Sequence, residues 1–438
     1  MYHTMDQVFG EVDRIVEDNS GFMKMTPLTL TDNDYSATVK VVTIEPGGLS
    51  DDHSGKLRLL VNFGEHGREL ISSEVALMLM HYLAEPAMEV EKSVLRGHPR
   101  HRLATLLQQT VIKLIPMENV HGRAIVEAGS LCERKNGRGV DPNRNWDLHW
   151  GHKEKDYDPM EEYEGPKPFS EPEAMLMRQL AKDFQPHVWV NVHSGMEALF
   201  MPYDHVAKIP DGEAAQATLR ILEQLNTINC GGRCAVGSGG KSVGYLAHGT
   251  ATDYMYDKLG VPLSFTWEIY GDEKAPYTDC FRMFNPLQKK QVDDVAANWA
   301  SAIFTLLELL PGHPAIPKLK VLHPARRGAA EALGSDAEEV YNLPGEKIAA
   351  KLTQKIEQSS TLTALMENRD TDFIGDALSS TAALSQLGAQ YVWQHFGFLL
   401  CILAVVMVGL IVRSFYHHQA LWVLKRLKVP RRSRVIPL

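Results

Sequence analysis

Cysteine is scarce, with five among 438 residues, which excludes a small scaffold stapled by disulfides. Cys230 and Cys234 lie close enough in sequence to be a bridge, or equally two buried free thiols. An excess of positive charge is lacking too. The net charge of −9 removes the bulk electrostatic signature of a nucleic-acid binder, so no such partner is expected. There is no N-x-S/T sequon, which weighs against a heavily glycosylated exterior domain. No internal repeat is visible. The opening MYHTMDQVFGEVDR holds no apolar run of signal-peptide length. With 44% hydrophobic and 23% charged residues, collagenous, low-complexity and globally disordered readings fall away.

What is present divides unevenly. Residues 1–312 mix apolar strand-like runs with helical stretches and form the expected catalytic zone. Residues 313–395 are rich in Ala, Ser, Leu and Glu and are expected to form a helical or flexible stalk. Residues 396–412, FGFLLCILAVVMVGLIV, carry no charge and as a helix would reach about 26 Å, the short end of a bilayer span. Residues 413–438 hold seven Lys/Arg and no Asp/Glu, against 38 basic and 54 acidic residues in the rest. The expectation is a single transmembrane helix with the basic tail cytoplasmic and the catalytic zone in the secretory lumen or at the cell surface. The alternative is a tail anchor with a cytosolic catalytic zone. The lipid bilayer is the expected partner of 396–412.

Within 1–312, β-branched apolar runs bounded by Gly, Pro or Asn predict strands near 37–44, 57–63, 111–116, 187–192 and 263–269. Apolar spacing predicts helices over 5–17, 70–84, 172–184, 213–228 and 290–309. The alternation predicts an α/β fold, a mixed, mostly parallel twisted sheet with helices on both faces. Chemistry then gathers at loops beyond the strand ends.

One such end is LLVNFGEHGREL, where a strand stops at Phe63 and a helix starts near Glu69. His66 and Glu69, three apart at the loop-to-helix junction, suit one cation. His193, at the end of PHVWVNVH, completes a His₂Glu set, and zinc accepts such donors while keeping a position for water.

HGRE followed after 123 residues by His resembles the metallocarboxypeptidase family related to carboxypeptidase A. The likeness extends through YHTMDQVFGEVDRIVEDN, ERKNGRGVDPNRNWD and FTWEIYGD, in the family's order over residues 2 to 310. It implies one zinc ion per chain on His66, Glu69 and His193. It implies Glu268 as general base and Arg134 as the cation for the developing oxyanion, with Arg138 as the alternative if the loop is shifted. Asn143 and Arg144 would grip the substrate's terminal carboxylate, Arg68 the peptide backbone, and Tyr245 would close over the bound residue. Peptide or protein C-termini are the implied partners. The chain begins where the resemblance sets the mature catalytic domain, so no propeptide is expected within it.

Relatives preferring C-terminal Lys or Arg carry an acid in the side-chain pocket. One position used for this corresponds to Asp204; another corresponds to Thr252, with Asp253 next to it. Asp204 is therefore either a pocket acid for basic side chains or a solvent-facing loop aspartate. Two other functions share the ligand set: an amidohydrolase acting on N-acyl amino acids or cell-wall peptides, and a zinc-binding homologue without activity.

Overall fold

The computed structural model describes residues 1–85, 100–242, 245–276 and 278–318. The remainder of the expected stalk, the apolar run 396–412 and the basic tail lie outside the described residues. Among the described residues no helix is long and apolar enough to cross a membrane.

Eight strands form one sheet: β1 Met23–Asp32, β2 Tyr35–Ile44, β3 Leu57–Phe63, β4 Thr110–Ile115, β5 Val188–His193, β6 Met196–Met201, β7 Ala235–Ser238 and β8 Leu263–Tyr270. Their order is β1-β2-β4-β3-β5-β8-β6-β7. The central strands β4, β3, β5 and β8 are parallel. Antiparallel pairs join β1 to β2, β2 to β4 and β6 to β8, and β7 lies parallel to β6. The sheet is thus mixed with a parallel centre, as the sequence predicts. All five expected strands and all five expected helices form, with ends shifted by at most two residues.

Side-chain alternation explains why helices cover both faces. Leu57, Leu59, Val61 and Phe63 of β3 join one core with Val188, Val190 and Val192 of β5. Leu60 and Trp189, between them in sequence, join the other, as period-two strands require. The first face is covered by helices Met5–Asp18, Leu70–Ala84, Glu213–Asn229 and Lys289–Leu309. Thr4 and Gln7 close a reciprocal capping box at the start of the first of these. Helix Leu70–Ala84 is the middle of that layer, buried even at Ser72, Ser73 and Glu74. The second face is covered by helices Pro172–Phe184 and Ala251–Asp257, with Trp146 and Phe169.

Three strands escape a sequence reading for physical reasons. β1 lies at the sheet edge and carries Pro27, and proline inside a run argues against a strand unless it is an edge. β6, MEALFM, has a composition that serves a helix equally well. β7 has only four residues.

The winding of the chain selects the site. From β3 to β4 the chain passes over the first face, through Leu70–Ala84 and Arg100–Gln108. From β4 to β5 it passes over the second, through Pro172–Phe184. The reversal leaves a crevice beyond the C-terminal ends of β3 and β5, where open α/β sheets hold ligands. Disulfides join Cys132 to Cys280 and Cys230 to Cys234. The first ties the loop before Arg134 to the segment beyond β8; the second settles the open question about its pair as a bridge.

Candidate metal centre and active site

His66 follows β3, Glu69 immediately precedes helix Leu70–Ala84, and His193 ends β5. Because β3 and β5 are parallel neighbours with Phe63 opposite Val192, their C-terminal extensions meet. The Glu69 carboxylate faces both imidazoles. Its Oε1 lies 2.7 Å from His66 Nδ1 and its Oε2 lies 3.1 Å from His193 Nδ1. The two Nδ1 atoms are 3.1 Å apart. The turn between the ligands needs glycine, since a Cβ on Gly67 would lie 2.5 Å from the Gly122 carbonyl carbon.

The donor set fits zinc. Bonds of about 2.0–2.1 Å in a tetrahedral site put donors about 3.4 Å apart, close to the spacings found. His66 Nε2 lies 3.1 Å from Asp141 Oδ1, so its N–H goes there and the lone pair of Nδ1 faces the cleft. Such outer carboxylates fix the tautomer of a ligating histidine. Glu65 also approaches the histidines, but from behind: its Oε2 lies 3.1 Å from His193 Nε2, on the far side of that ring. Glu69, which meets both Nδ1 atoms, is the better third ligand. Burial opposes ionisation of Glu69, but the two imidazoles outweigh it and hold the carboxyl below the usual range.

Asp141 is fully buried and organises the arginines. Its Oδ1 accepts from the Asn143 N–H at 2.9 Å, and its Oδ2 accepts from Arg134 Nε at 2.8 Å. Burial opposes its charge, yet Arg134 and then His66 hold its carboxyl well below the ordinary range. Arg134 Nη1 lies 3.2 Å from His66 Nδ1, so the guanidinium borders the metal position. Asn143 accepts the Ala251 N–H at 2.9 Å through its side-chain oxygen, which leaves its NH₂ as the donor for the cleft. Arg144 donates to the Asn143 carbonyl at 3.0 Å and to Glu162 Oε1 at 2.6 Å. Glu162 ends the short helix Pro159–Glu162.

Glu268 stands beside His193 in the β5–β8 register, so both side chains leave the sheet on the same side. Its Oε2 is buried without a hydrogen-bond partner, an orphaned acceptor facing a polar cleft. Burial raises its pKa to about 7, with Glu69 adding to the rise and His193 opposing it. The cleft is lined by His66, Arg134, Asn143, Arg144, His193, Asp204, Tyr245 and Glu268. Tyr245 is 43% exposed at the rim.

Asp204 is buried in this cleft rather than on a solvent-facing loop. Gly239 adjoins its carboxylate so closely that a Cβ there would collide with Oδ1. Burial first, and Asp253 second, raise its pKa to about 7. Asp253 points elsewhere: it accepts from the backbone N–H of Asp204 and His205 and pairs with the His205 ring at 2.6 Å. Thr252 is bonded to Thr266, Oγ1 to Oγ1, at 2.7 Å.

Arg68 does not line the cleft. It lies 2.7 Å from Glu161 Oε2, stacks on Phe284 and donates to the Cys132 carbonyl. Arg138, the alternative to Arg134, pairs with Asp32 at 3.0 Å, away from the metal position.

Sequence reasoning missed Asp141 and Glu65. Asp141 had a faint signal, an acid directly before the Pro-Asn-Arg turn whose N-terminus it caps. Glu65 belongs to a buried chain behind His193. Asn191 donates to Glu65 at 2.6 Å, Asn62 donates to Asn191 at 3.0 Å, and Asn62 also donates to Glu118. Burial, then the nearby Glu65 charge, push Glu118 well above the usual carboxylate range. Asn62 and Asn191 sit inside apolar strands and Glu65 and Glu118 just beyond strand ends, and spacing along one strand does not reveal a partner on the next.

Residues 13–301 match the zinc carboxypeptidase family. The chain is 27% identical over 335 residues to carboxypeptidase A2 of Rattus norvegicus, covering 72% of this chain and 71% of that protein. It is 24% identical over 275 residues to carboxypeptidase B of Astacus astacus, covering 61% and 86%. Among solved structures, the fold is similar to carboxypeptidase A from Helicoverpa armigera, with a TM-score of 0.56 at 18% identity, covering 70% of this chain and 74% of that one. Thrombin-activatable fibrinolysis inhibitor gives a TM-score of 0.55 at 19% identity over the same shares.

Proposed function

The chain belongs to the zinc carboxypeptidase family, and on that premise we propose that it is a zinc-dependent exopeptidase that removes C-terminal residues from peptides. The observation that carries the reading is the meeting, in one cleft, of a His₂Glu donor set, an unpartnered buried carboxylate and two arginines.

Arg144 and the Asn143 amide bind the substrate's terminal carboxylate, the guanidinium through paired hydrogen bonds that a lysine cannot supply. Glu162 occupies that guanidinium at 2.6 Å, so the substrate displaces one carboxylate with another. The side chain of the terminal residue enters beside Asp204, whose ionised form favours Lys or Arg. Tyr245 closes the rim and excludes water.

A zinc ion held by His66, Glu69 and His193 would lower the pKa of water and polarise the scissile carbonyl. Glu268 takes the proton of the attacking water and passes it to the leaving amine as the C–N bond breaks. The Arg134 guanidinium, held by Asp141, faces the charge that develops on the carbonyl oxygen. Arg68 reaches the peptide backbone only after leaving Glu161.

We place this chemistry in an oxidising compartment, the secretory lumen or cell surface, because disulfides persist there and are rare in the cytosol. Both bridges support that reading over the tail-anchored alternative, with residues 396–412 as the membrane anchor.

The test is turnover by the zinc-loaded full chain of benzoyl-Gly-Arg beside N-acetyl-Arg. Release of arginine from the first with little from the second supports a peptide exopeptidase. The reverse preference identifies an amidohydrolase, and hydrolysis of neither, nor of benzoyl-Gly-Phe or benzoyl-Gly-Leu, by folded, metal-loaded protein identifies a binding homologue.

A further inference from the structure

A second group of imidazoles lies on the far side of Arg144, away from the zinc ligands. His152 and Glu154 belong to the loop after Trp150, and His248 to the segment three residues beyond Tyr245. One donor atom from each lies within 4.8 Å of the other two. His248 Nε2 is 2.9 Å from Glu154 Oε1, and His152 Nε2 is 3.3 Å from that same oxygen. The two rings lie 4.3 Å apart at 59°. The two nitrogen–oxygen spacings lie just below the roughly 3.4 Å edge of a tetrahedral site with bonds of about 2.0–2.1 Å. We infer that His152, Glu154 and His248 form a second divalent-metal site, suited to a borderline ion such as Zn²⁺, Ni²⁺ or Cu²⁺.

Three further observations favour a cation here over an ordinary ion pair. His149 stacks on His205 at 4.1 Å and meets His248 edge-on at 6.3 Å, so further imidazoles gather beside the donors. Lys153, between the two donors in sequence, pairs through Nζ with Glu164 at 3.1 Å, and Glu162 in the same cleft pairs with Arg144, so Glu154 is the carboxylate left to the imidazoles. His152 is 60% exposed at its side chain and Glu154 31%, so an ion enters without opening the fold and keeps water in its remaining position.

This is neither the catalytic set nor a substrate site, and it stands whether or not the chain hydrolyses peptides. The experiment is metal counting on the full chain, stripped with chelator and dialysed against buffered free zinc. The variants are His152→Gln/Glu154→Gln, His248→Gln and, for the catalytic ion, Glu69→Gln. The expected result is a second equivalent in the parent chain that disappears in His152→Gln/Glu154→Gln and in His248→Gln but persists in Glu69→Gln. Because His152 and Glu154 are at the surface, the double variant keeps its fold, and circular dichroism checks this. A single equivalent in the parent chain, or a second equivalent retained by the double variant, overturns the assignment.

Discussion

At the floor of the cleft, His66, Glu69, His193 and Asp141 are each at most 3% exposed, and their mutual contacts are as short as 2.7 Å. At the rim, Tyr245 is 43% exposed, and Arg144 is engaged by Glu162. The floor is built from strand ends and one helix start, so its geometry follows from sheet register. The rim is built from loops and a four-residue helix, and its ion pair must exchange for substrate. The contrast teaches that this molecule separates chemistry from selection. Under the proposed function, the floor is fixed before substrate arrives, and the rim supplies recognition by swapping partners.

The sharpest way to break this comparison is to damage the floor without unfolding it. Glu268→Gln should lower kcat by about 10²–10⁴-fold, the usual worth of a positioned base, with zinc content unchanged in the same preparation. Arg134→Ala should follow, at about 10²–10³-fold in kcat with a smaller change in KM. Equal losses in binding and turnover would move Arg134 to the rim. Asp141→Asn should weaken zinc binding by about 10–100-fold, as loss of an outer carboxylate does, and zinc titration against a chelator reads it.

Rim changes should act on selectivity. Burial raises the Asp204 carboxyl to about 7, so it is neutral well below that pH and charged above it. Preference for Arg over Leu at the terminal position should therefore rise as pH increases through 7, and Asp204→Asn should abolish both the preference and its pH dependence. Ratios of kcat/KM for matched peptides between pH 6 and 8 decide this. A flat ratio would make Asp204 a bystander. The smallest effect is expected at Glu162→Gln, which frees Arg144 and should lower KM by a few fold with kcat unchanged. A raised KM would mean that Glu162 positions the guanidinium instead of competing for it.

The same division governs what the sequence discloses. β3, β5 and β8 are dense apolar runs, and His66, His193 and Glu268 stand three residues beyond, at, and two residues before their respective C-terminal ends. Their convergence then needs only parallel neighbours, which alternating strands and helices already imply. Asn143, Arg144 and Asp204 reach the cleft, and for Asp204 the sequence left the pocket and a solvent-facing loop open. The roles of Asp141 and Glu65 depend on contacts between segments far apart in the chain, as with Asn191 and Glu65, 126 positions apart. The Cys132–Cys280 pairing spans 148 positions, and nothing in local spacing points to it. Arg68 illustrates the opposite case, a residue whose motif is legible but whose side chain turns to Glu161 and Phe284.

The most direct test of the central claim uses one peptide in two forms, ending in a free carboxylate and in a carboxamide. Both are offered to the zinc-loaded chain and to its Glu268→Gln variant. The account predicts release of the terminal residue from the free acid, little from the amide, and near-complete loss in the variant. Equal cleavage of acid and amide, or release undiminished in Glu268→Gln, would contradict it.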